Sequence, residues 1–289
     1  MIKVIASDMD GTLLNDEHRI APETLEAVKA ACDSGIRFMI ATGRNFPSAM
    51  AELEGTGIVC DYIVGSGAEV RTPDQEIVKT SPISTELCRE VYGAICDFPI
   101  SVIFSTDFYD YRVGTEEEAK ESIIRQMQLF HTNASVEEME NDPFYKRVIE
   151  KTKIVPDLNG LEASGAPVYK IFLFSTDKEI LGKIGKRLET NDRIAVASSF
   201  ATNLEITDIK AQKGPILKEY IESLGYAMDE VMVLGDSLND YSMISMDFGA
   251  TVAMGNADPE IKEAAKYITK SNEELGVAHA IYEVLKRQN

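Results

Sequence analysis

The chain has 289 residues, 44% of them hydrophobic, enough to bury one large core or two ordinary ones. A formal charge of −19 argues against nucleic acid or an anionic membrane as partner, because both demand a basic face. No apolar run approaches the roughly 20 residues of a membrane span, and the start lacks the basic region and cleavage site of a secretory signal.

The first predicted strand covers 2–7 and runs straight into Asp8-Met9-Asp10-Gly11-Thr12-Leu13-Leu14. Two carboxylates one residue apart at a strand end repel each other, and Asp is depleted in strands. An Asp-Gly turn is one explanation of the pair. A hard divalent cation is another, since Mg²⁺ takes a carboxylate and a backbone carbonyl while sharing its shell with a substrate phosphate. A helix is predicted from Pro22 to about Ala31, closed by Gly35. The apolar run Ile36–Ala41 then reads as a strand buried on both faces. Thr42-Gly43-Arg44 follows it directly, offering a hydroxyl and backbone amides that suit phosphoryl oxygens, although a plain turn has the same composition. A third strand at Tyr62-Ile63-Val64 leads into a hairpin around Thr72-Pro73-Asp74. Such β/α alternation implies a parallel sheet with right-handed crossovers.

The texture changes from about Ser84. A helix over Thr85–Cys96, a strand over Ile100–Ser105 and the aromatic stretch Phe108-Tyr109-Asp110-Tyr111 precede two acidic amphipathic helices. Strands over Tyr169–Ser175 and Arg193–Ala197 flank a further helix. We read residues 84–204 as an inserted α/β domain between two core segments, 1–83 and 205–289. The acidic runs Glu116-Glu117-Glu118 and Glu137-Glu138-Met139-Glu140 are solvated helix faces in this reading. Phe108, Tyr109, Tyr111 and Arg112 either build the inserted domain's core or touch a ligand.

Core alternation resumes with a helix from Lys213, after a strand at Glu205-Ile206-Thr207. A lysine at a helix start opposes the macrodipole and fits a cation aimed at an anion, with nearby Lys210 as the competing choice. The strand Val231–Leu234 then runs into Gly235-Asp236-Ser237-Leu238-Asn239-Asp240. Asp236 is placed to ligate a metal, and Asn239 and Asp240 follow one turn later. Helix capping explains Asp236 or Ser237 but not the second Asp after Asn239. A strand over Ala250–Ala253 and a helix toward Gln288 complete the chain. Ligands of open parallel sheets bind at the carboxyl ends of strands, so all these motifs can meet at one rim. In so acidic a chain, a metal and a few local cations must invert the field there. Cys32, Cys60, Cys88 and Cys96 show no Cys-x-x-Cys spacing and read as buried thiols of a cytoplasmic protein.

Taken in order, these motifs resemble the haloacid dehalogenase (HAD) superfamily, specifically the Cof-type, IIB branch of Mg²⁺-dependent phosphatases. Asn256-Ala257 and Gly276-Val277-Ala278 resemble late family positions as well. The resemblance implies an α/β fold with a Rossmann-like parallel-sheet core and an inserted C2-type α/β cap that closes over it. It implies that Asp8 is the nucleophile, forming an aspartyl-phosphate. Asp10 would be the general acid and base, with a carboxyl pKa above that of Asp8, and its backbone carbonyl would bind Mg²⁺. Asp8, Asp10 and Asp236 would thus hold the metal, with Asp240 supporting them. Met9 through its amide, Thr42, Gly43, Lys213 and Asn239 would hold the phosphoryl group. Implied substrates are small phosphomonoesters, sugar phosphates among them. One departure is Gly65-Ser66-Gly67-Ala68, where the family has Asn in place of Ser66. A phosphomutase would use the same aspartyl-phosphate. A receiver-like phosphoacceptor would need neither Asp10 nor the large cap, and a non-catalytic binding protein on this fold is disfavoured because every motif residue is present.

Overall fold

The computed structural model describes residues 1–130 and 136–288. It comprises two units, one built from Met1–Ser81 and the stretch from Ile209, the other from Pro82–Asp208. The first unit begins with β1 (Val4–Ser7), α1 (Pro22–Asp33), β2 (Arg37–Ala41), α2 (Phe46–Leu53), β3 (Asp61–Val64), β4 (Glu69–Arg71) and β5 (Ile77–Thr80). The second contains α3 (Thr85–Ile95), β6 (Ser101–Thr106), β7 (Asp110–Val113), α4 (Glu116–Phe130), α5 (Val136–Asn141) and α6 (Pro143–Lys151). It continues through β8 (Thr152–Val155), α7 (Leu158–Ala163), β9 (Val168–Phe174), α8 (Lys178–Leu188), β10 (Ile194–Ala197) and β11 (Asn203–Asp208). The chain then returns to the first unit with α9 (Lys213–Ser223), β12 (Val231–Gly235), α10 (Tyr241–Ile244), β13 (Ala250–Ala253), α11 (Pro259–Ala264), β14 (Tyr267–Ile268) and α12 (Gly276–Gln288).

The first unit is an eight-stranded sheet in the order β14-β13-β12-β1-β2-β3-β4-β5. Its strands are parallel from β14 to β3, and the β4–β5 hairpin adds an antiparallel edge. β1, β2 and β12 are apolar except for Ser7 and Arg37 at strand ends, because both faces are covered, as in doubly wound sheets. Register decides what emerges at the rim. Ser7 lies opposite Leu234 on one side and Ile40 on the other. Asp8, Gly235 and Ala41 are therefore level, and Asp236 and Thr42 come next at the same carboxyl edge.

The second unit is a six-stranded sheet ordered β10-β11-β9-β6-β7-β8, antiparallel except for the β7–β8 pair. Its core forms where β6, β7, β9 and β11 pack Phe104, Tyr111, Ile171, Leu173 and Ile206 with Leu87, Val91 and Ile95 of α3. α4, α5 and α6 share a smaller cluster around Ile123, Met127, Met139 and Tyr145.

Several sequence expectations need correction. Residues 205–208 belong to β11 and pair with β9 and β10, so the first unit resumes at Ile209 rather than at residue 205. The two predicted acidic helices are α4 and α5, and α6, which is not acidic, follows them as a further helix. α2, α7, α11 and strands β8 and β14 were not expected from the pattern. Cys60 and Cys88 are buried, but Cys32 and Cys96 are exposed. Cys32 lies off the stripe of Thr24, Ala27, Val28 and Ala31 that α1 buries, and Cys96 sits at the end of α3.

Candidate active site

The loop after β1 returns sharply on itself, with the Met9 carbonyl accepting from Thr12 and Leu14 at 3.3 and 2.8 Å. Met9 buries its side chain in the core. Gly11 has φ +77°, and a Cβ there would stand 2.5 Å from Asp236 Oδ2, so only glycine fits between the two loops. Thr12 Oγ1 donates to Asp236 Oδ1 at 2.7 Å and joins the same loops across 224 residues of sequence.

Lys213 sits fully buried between two carboxylates. Its Nζ lies 2.7 Å from both Asp8 Oδ1 and Asp240 Oδ1, and 3.5 Å from Asn239 Oδ1. α9 can bring it so close because a Cβ at Gly214 would overlap the Ser242 carbonyl of α10. Lys210, the alternative, lies on the exposed surface. Asp240 has both oxygens engaged, since Oδ2 also accepts from the Asp236 and Ser237 amides at 3.0 and 3.2 Å. Asn239 Oδ1 in turn accepts from Ser237 Oγ at 2.9 Å. Thr42 is buried beside Gly43 in the turn after β2, where its Oγ1 accepts from the Arg44 amide at 3.2 Å. That turn is pinned to the segment after β3, with Ser66 N donating to the Thr42 carbonyl and Gly65 N to that of Arg44. Ser66 itself adopts φ +60°.

Asp10 is placed differently from Asp8. Arg44 grips it with a two-pronged contact, Nε to Oδ2 at 2.8 Å and Nη2 to Oδ1 at 2.7 Å. The remaining arm of the guanidinium, Nη1, donates to Glu52 Oε1 on α2 at 2.5 Å. His18 Nδ1 is 3.7 Å from Asp10 Oδ1, close enough to feel its charge and too far for a strong hydrogen bond. Arg44 appears in the sequence motif, but its pairing with Asp10, 34 residues away, had no signal in spacing. Glu52 and His18 were missed altogether.

The electrostatics follow from this layout. Burial pushes the Asp8 carboxyl well up, the neighbouring Asp240 charge adds to it, and Lys213 only partly offsets both. Asp236 is raised to about 7, again by burial and then by Asp240. Burial alone would lower the Lys213 ammonium, but Asp240 and Asp8 outweigh it and raise its pKa. Burial would likewise raise Asp10, yet Arg44 and then His18 hold it well below the usual carboxylate range. The expected order of Asp10 above Asp8 is thus reversed here, because Arg44 takes the partner role that the sequence left blank.

Asp8, Asp236 and Asp240 each offer an oxygen within 4.8 Å of the others, the one such cluster among the described residues. One ammonium cannot neutralise three carboxylates, two of them buried and that of Asp236 half-buried, and the donor set is all hard oxygen. A small divalent cation fits that imbalance. The Asp10 carboxylate lies outside the cluster, turned toward Arg44.

The inserted unit's aromatic strand divides by residue. Tyr111 belongs to that unit's core, while Arg112 is buried and donates to Ser122 and Gln126 at 2.5 and 2.6 Å. Phe108 is half exposed and packs edge-on against Tyr109.

The profile of the haloacid dehalogenase-like hydrolases matches residues 5–281. Phosphatase YwpJ of Bacillus subtilis is 30% identical over 291 residues, covering 98% of this chain and all of YwpJ. The 5-amino-6-(5-phospho-D-ribitylamino)uracil phosphatase YwtE of the same organism is 29% identical, covering 99% of each chain. Among solved structures, a haloacid dehalogenase-like hydrolase from B. subtilis superposes with a TM-score of 0.83 at 28% identity, over 97% of this chain and 99% of that one. The HAD subclass IIB sugar phosphatase BT4131 gives 0.75 at 26%, over 98% of both chains. The chain belongs to the haloacid dehalogenase-like hydrolases. Within them it is a phosphatase of Cof type, and hydrolases of this superfamily generally use Mg²⁺.

Proposed function

We propose that the chain hydrolyses small phosphomonoesters, sugar phosphates and related metabolites of the cytoplasm, through a covalent aspartyl-phosphate on Asp8. The observation that carries this reading is the buried Asp8 carboxylate, held by Lys213 at the shared rim of β1, β2 and β12. The names of two relatives, a sugar phosphatase and a phosphoribitylamino-uracil phosphatase, support the substrate class.

In the first step an Asp8 oxygen attacks phosphorus while the ester P–O bond breaks. The leaving oxygen keeps the electron pair and takes a proton from Asp10, which must enter this step protonated, having taken a proton up against the Arg44 contact that otherwise keeps it ionised. In the second step Asp10, now ionised, removes a proton from water as that water attacks the phosphoryl group. The bond to Asp8 breaks, the carboxylate is regenerated and phosphate leaves. Lys213, the Thr42 hydroxyl, the Asn239 amide and the Met9 and Gly43 backbone hold the equatorial oxygens. Asp8, Asp236 and the Asp10 carbonyl would hold Mg²⁺, with Asp240 orienting Lys213 and the Asp236 loop. When bound, the ion supplies positive charge between two approaching anions.

The test is phosphate release from a panel of phosphorylated metabolites and p-nitrophenyl phosphate, with Mg²⁺ or with EDTA. We expect turnover with Mg²⁺, none with EDTA, and none for Asp8→Asn. Wild-type rates in Asp8→Asn would falsify the nucleophile assignment.

A further inference from the structure

We propose that Glu52 is a positioning residue that fixes the general acid Asp10 by way of Arg44. The inference rests on the aspartyl-phosphate reading above.

Asp10 sits two residues beyond Asp8, in a turn rather than on a strand, and its carboxylate must point toward the leaving group. Arg44 supplies the restraint, because its planar fork accepts only one orientation of a carboxylate. A two-pronged contact, however, fixes Asp10 relative to the guanidinium alone, and an arginine side chain is long and flexible. Among the described residues, the third contact, Nη1 to Glu52 Oε1 at 2.5 Å, is the one that ties the guanidinium to a side chain other than Asp10. Glu52 is well suited as anchor. It stands on α2, whose first turn is capped by the Asn45 side chain accepting from Ser48 N at 3.1 Å. Meanwhile the Arg44 backbone is held by Gly65 N at 2.7 Å and by Thr42 Oγ1 at 3.2 Å. Both ends of the arginine are therefore tied, and Asp10 hangs from the fork between them.

The Arg44 and Glu52 side chains are 19% and 24% exposed, so solvent screens the pair less than it would a surface bridge. A bare tether of α2 to the loop would affect stability only. A positioning role makes a different demand. Mispositioned acid harms a substrate in proportion to how badly its leaving oxygen needs a proton. The alkoxide of a simple alkyl phosphate needs one; the p-nitrophenolate of p-nitrophenyl phosphate leaves readily without.

The experiment measures kcat/KM with Mg²⁺ for a series running from p-nitrophenyl phosphate through less acidic phenols to an alkyl phosphate. kcat/KM reports the step that forms the aspartyl-phosphate and expels the alcohol. We expect Glu52→Ala to lose about 10- to 100-fold on the alkyl ester, a share of what a general acid supplies, and under about 3-fold on the nitrophenyl ester. Glu52→Gln, which keeps an acceptor in place, should recover most of the loss, and Glu52→Asp should fall between. These two variants carry the test if the alanine variant does not fold. Equal losses along the series, or none, overturn the proposal. If wild-type protein hydrolyses no ester, or Asp8→Asn keeps its rate, the underlying reading fails instead, and the positioning role falls with it.

Discussion

Replacing Lys213 with methionine keeps an unbranched apolar stem and deletes the ammonium that Asp8 and Asp240 share. Nζ lies 2.7 Å from each, and all three side chains are 5% exposed or less. Removing one partner of a buried pair costs about 3–5 kcal/mol. The proton gives the same scale independently. Without the ammonium, one more carboxyl must fold neutral, and protonating a group of pKa ~3.9 at pH 7 costs ~1.4 kcal/mol per unit, or ~4 kcal/mol. Because that carboxyl's folded pKa is raised, its penalty is absent below the unfolded pKa and grows as pH rises. The deficit should therefore be ~1.5 kcal/mol at pH 5 and ~4 kcal/mol at pH 7. Urea unfolding in EDTA at both pH values, wild type beside Lys213→Met, measures it. A deficit below about 1 kcal/mol at pH 7, the scale of an exposed pair, refutes the reasoning. So does one that fails to shrink at pH 5.

Mg²⁺ at about 100 times its Kd should stabilise the wild type by about 2.7 kcal/mol, read as a rise in Tm over the EDTA-treated protein. Asp236→Asn should lose that rise yet melt no earlier than wild type in EDTA, since it removes a carboxyl already raised to about 7 by burial and Asp240. A variant that keeps the Mg²⁺-dependent rise would take Asp236 out of the metal set. Gly11→Ala must hold φ +77° and press a methyl against Asp236, so it should cost about 1–3 kcal/mol in urea unfolding. Wild-type stability in that variant would show that the loops have room to part.

Much of the first unit was legible because strands covered on both faces leave long apolar runs. Val4–Ala6, Phe38–Ala41 and Val231–Leu234 are all buried, and each runs directly into a chemical motif. Parallel register then brings those motifs together without further information. β11 was misassigned for a related reason. Its Leu204 and Ile206 join the second unit's core, while Glu205 and Thr207 alternate with them and are buried as well, Glu205 paired with Lys170, so polar and apolar residues alternate along an antiparallel strand. A continuous run would have marked the parallel sheet, so the period was the missed signal. α2 escaped because it has only eight residues, although Pro47 in its first turn is the same start signal that Pro22 gives α1. The choice between Lys213 and Lys210 turned on the macrodipole, and Lys213 is the one that lies inward. What spacing could not give was the partner of Asp10. Arg44 lies in a different βα loop, Glu52 on the following helix and His18 in the turn before α1, and only the packed fold makes them neighbours.

The most direct measurement is a rapid quench of the enzyme during turnover, followed by digestion and mass analysis of the peptide that carries Asp8. One phosphoryl group labile to base and to hydroxylamine should be found on Asp8 in wild type, and none on the same peptide of Asp8→Asn. An unmodified Asp8 peptide during steady hydrolysis, or phosphate on another residue, would contradict covalent catalysis at this carboxylate.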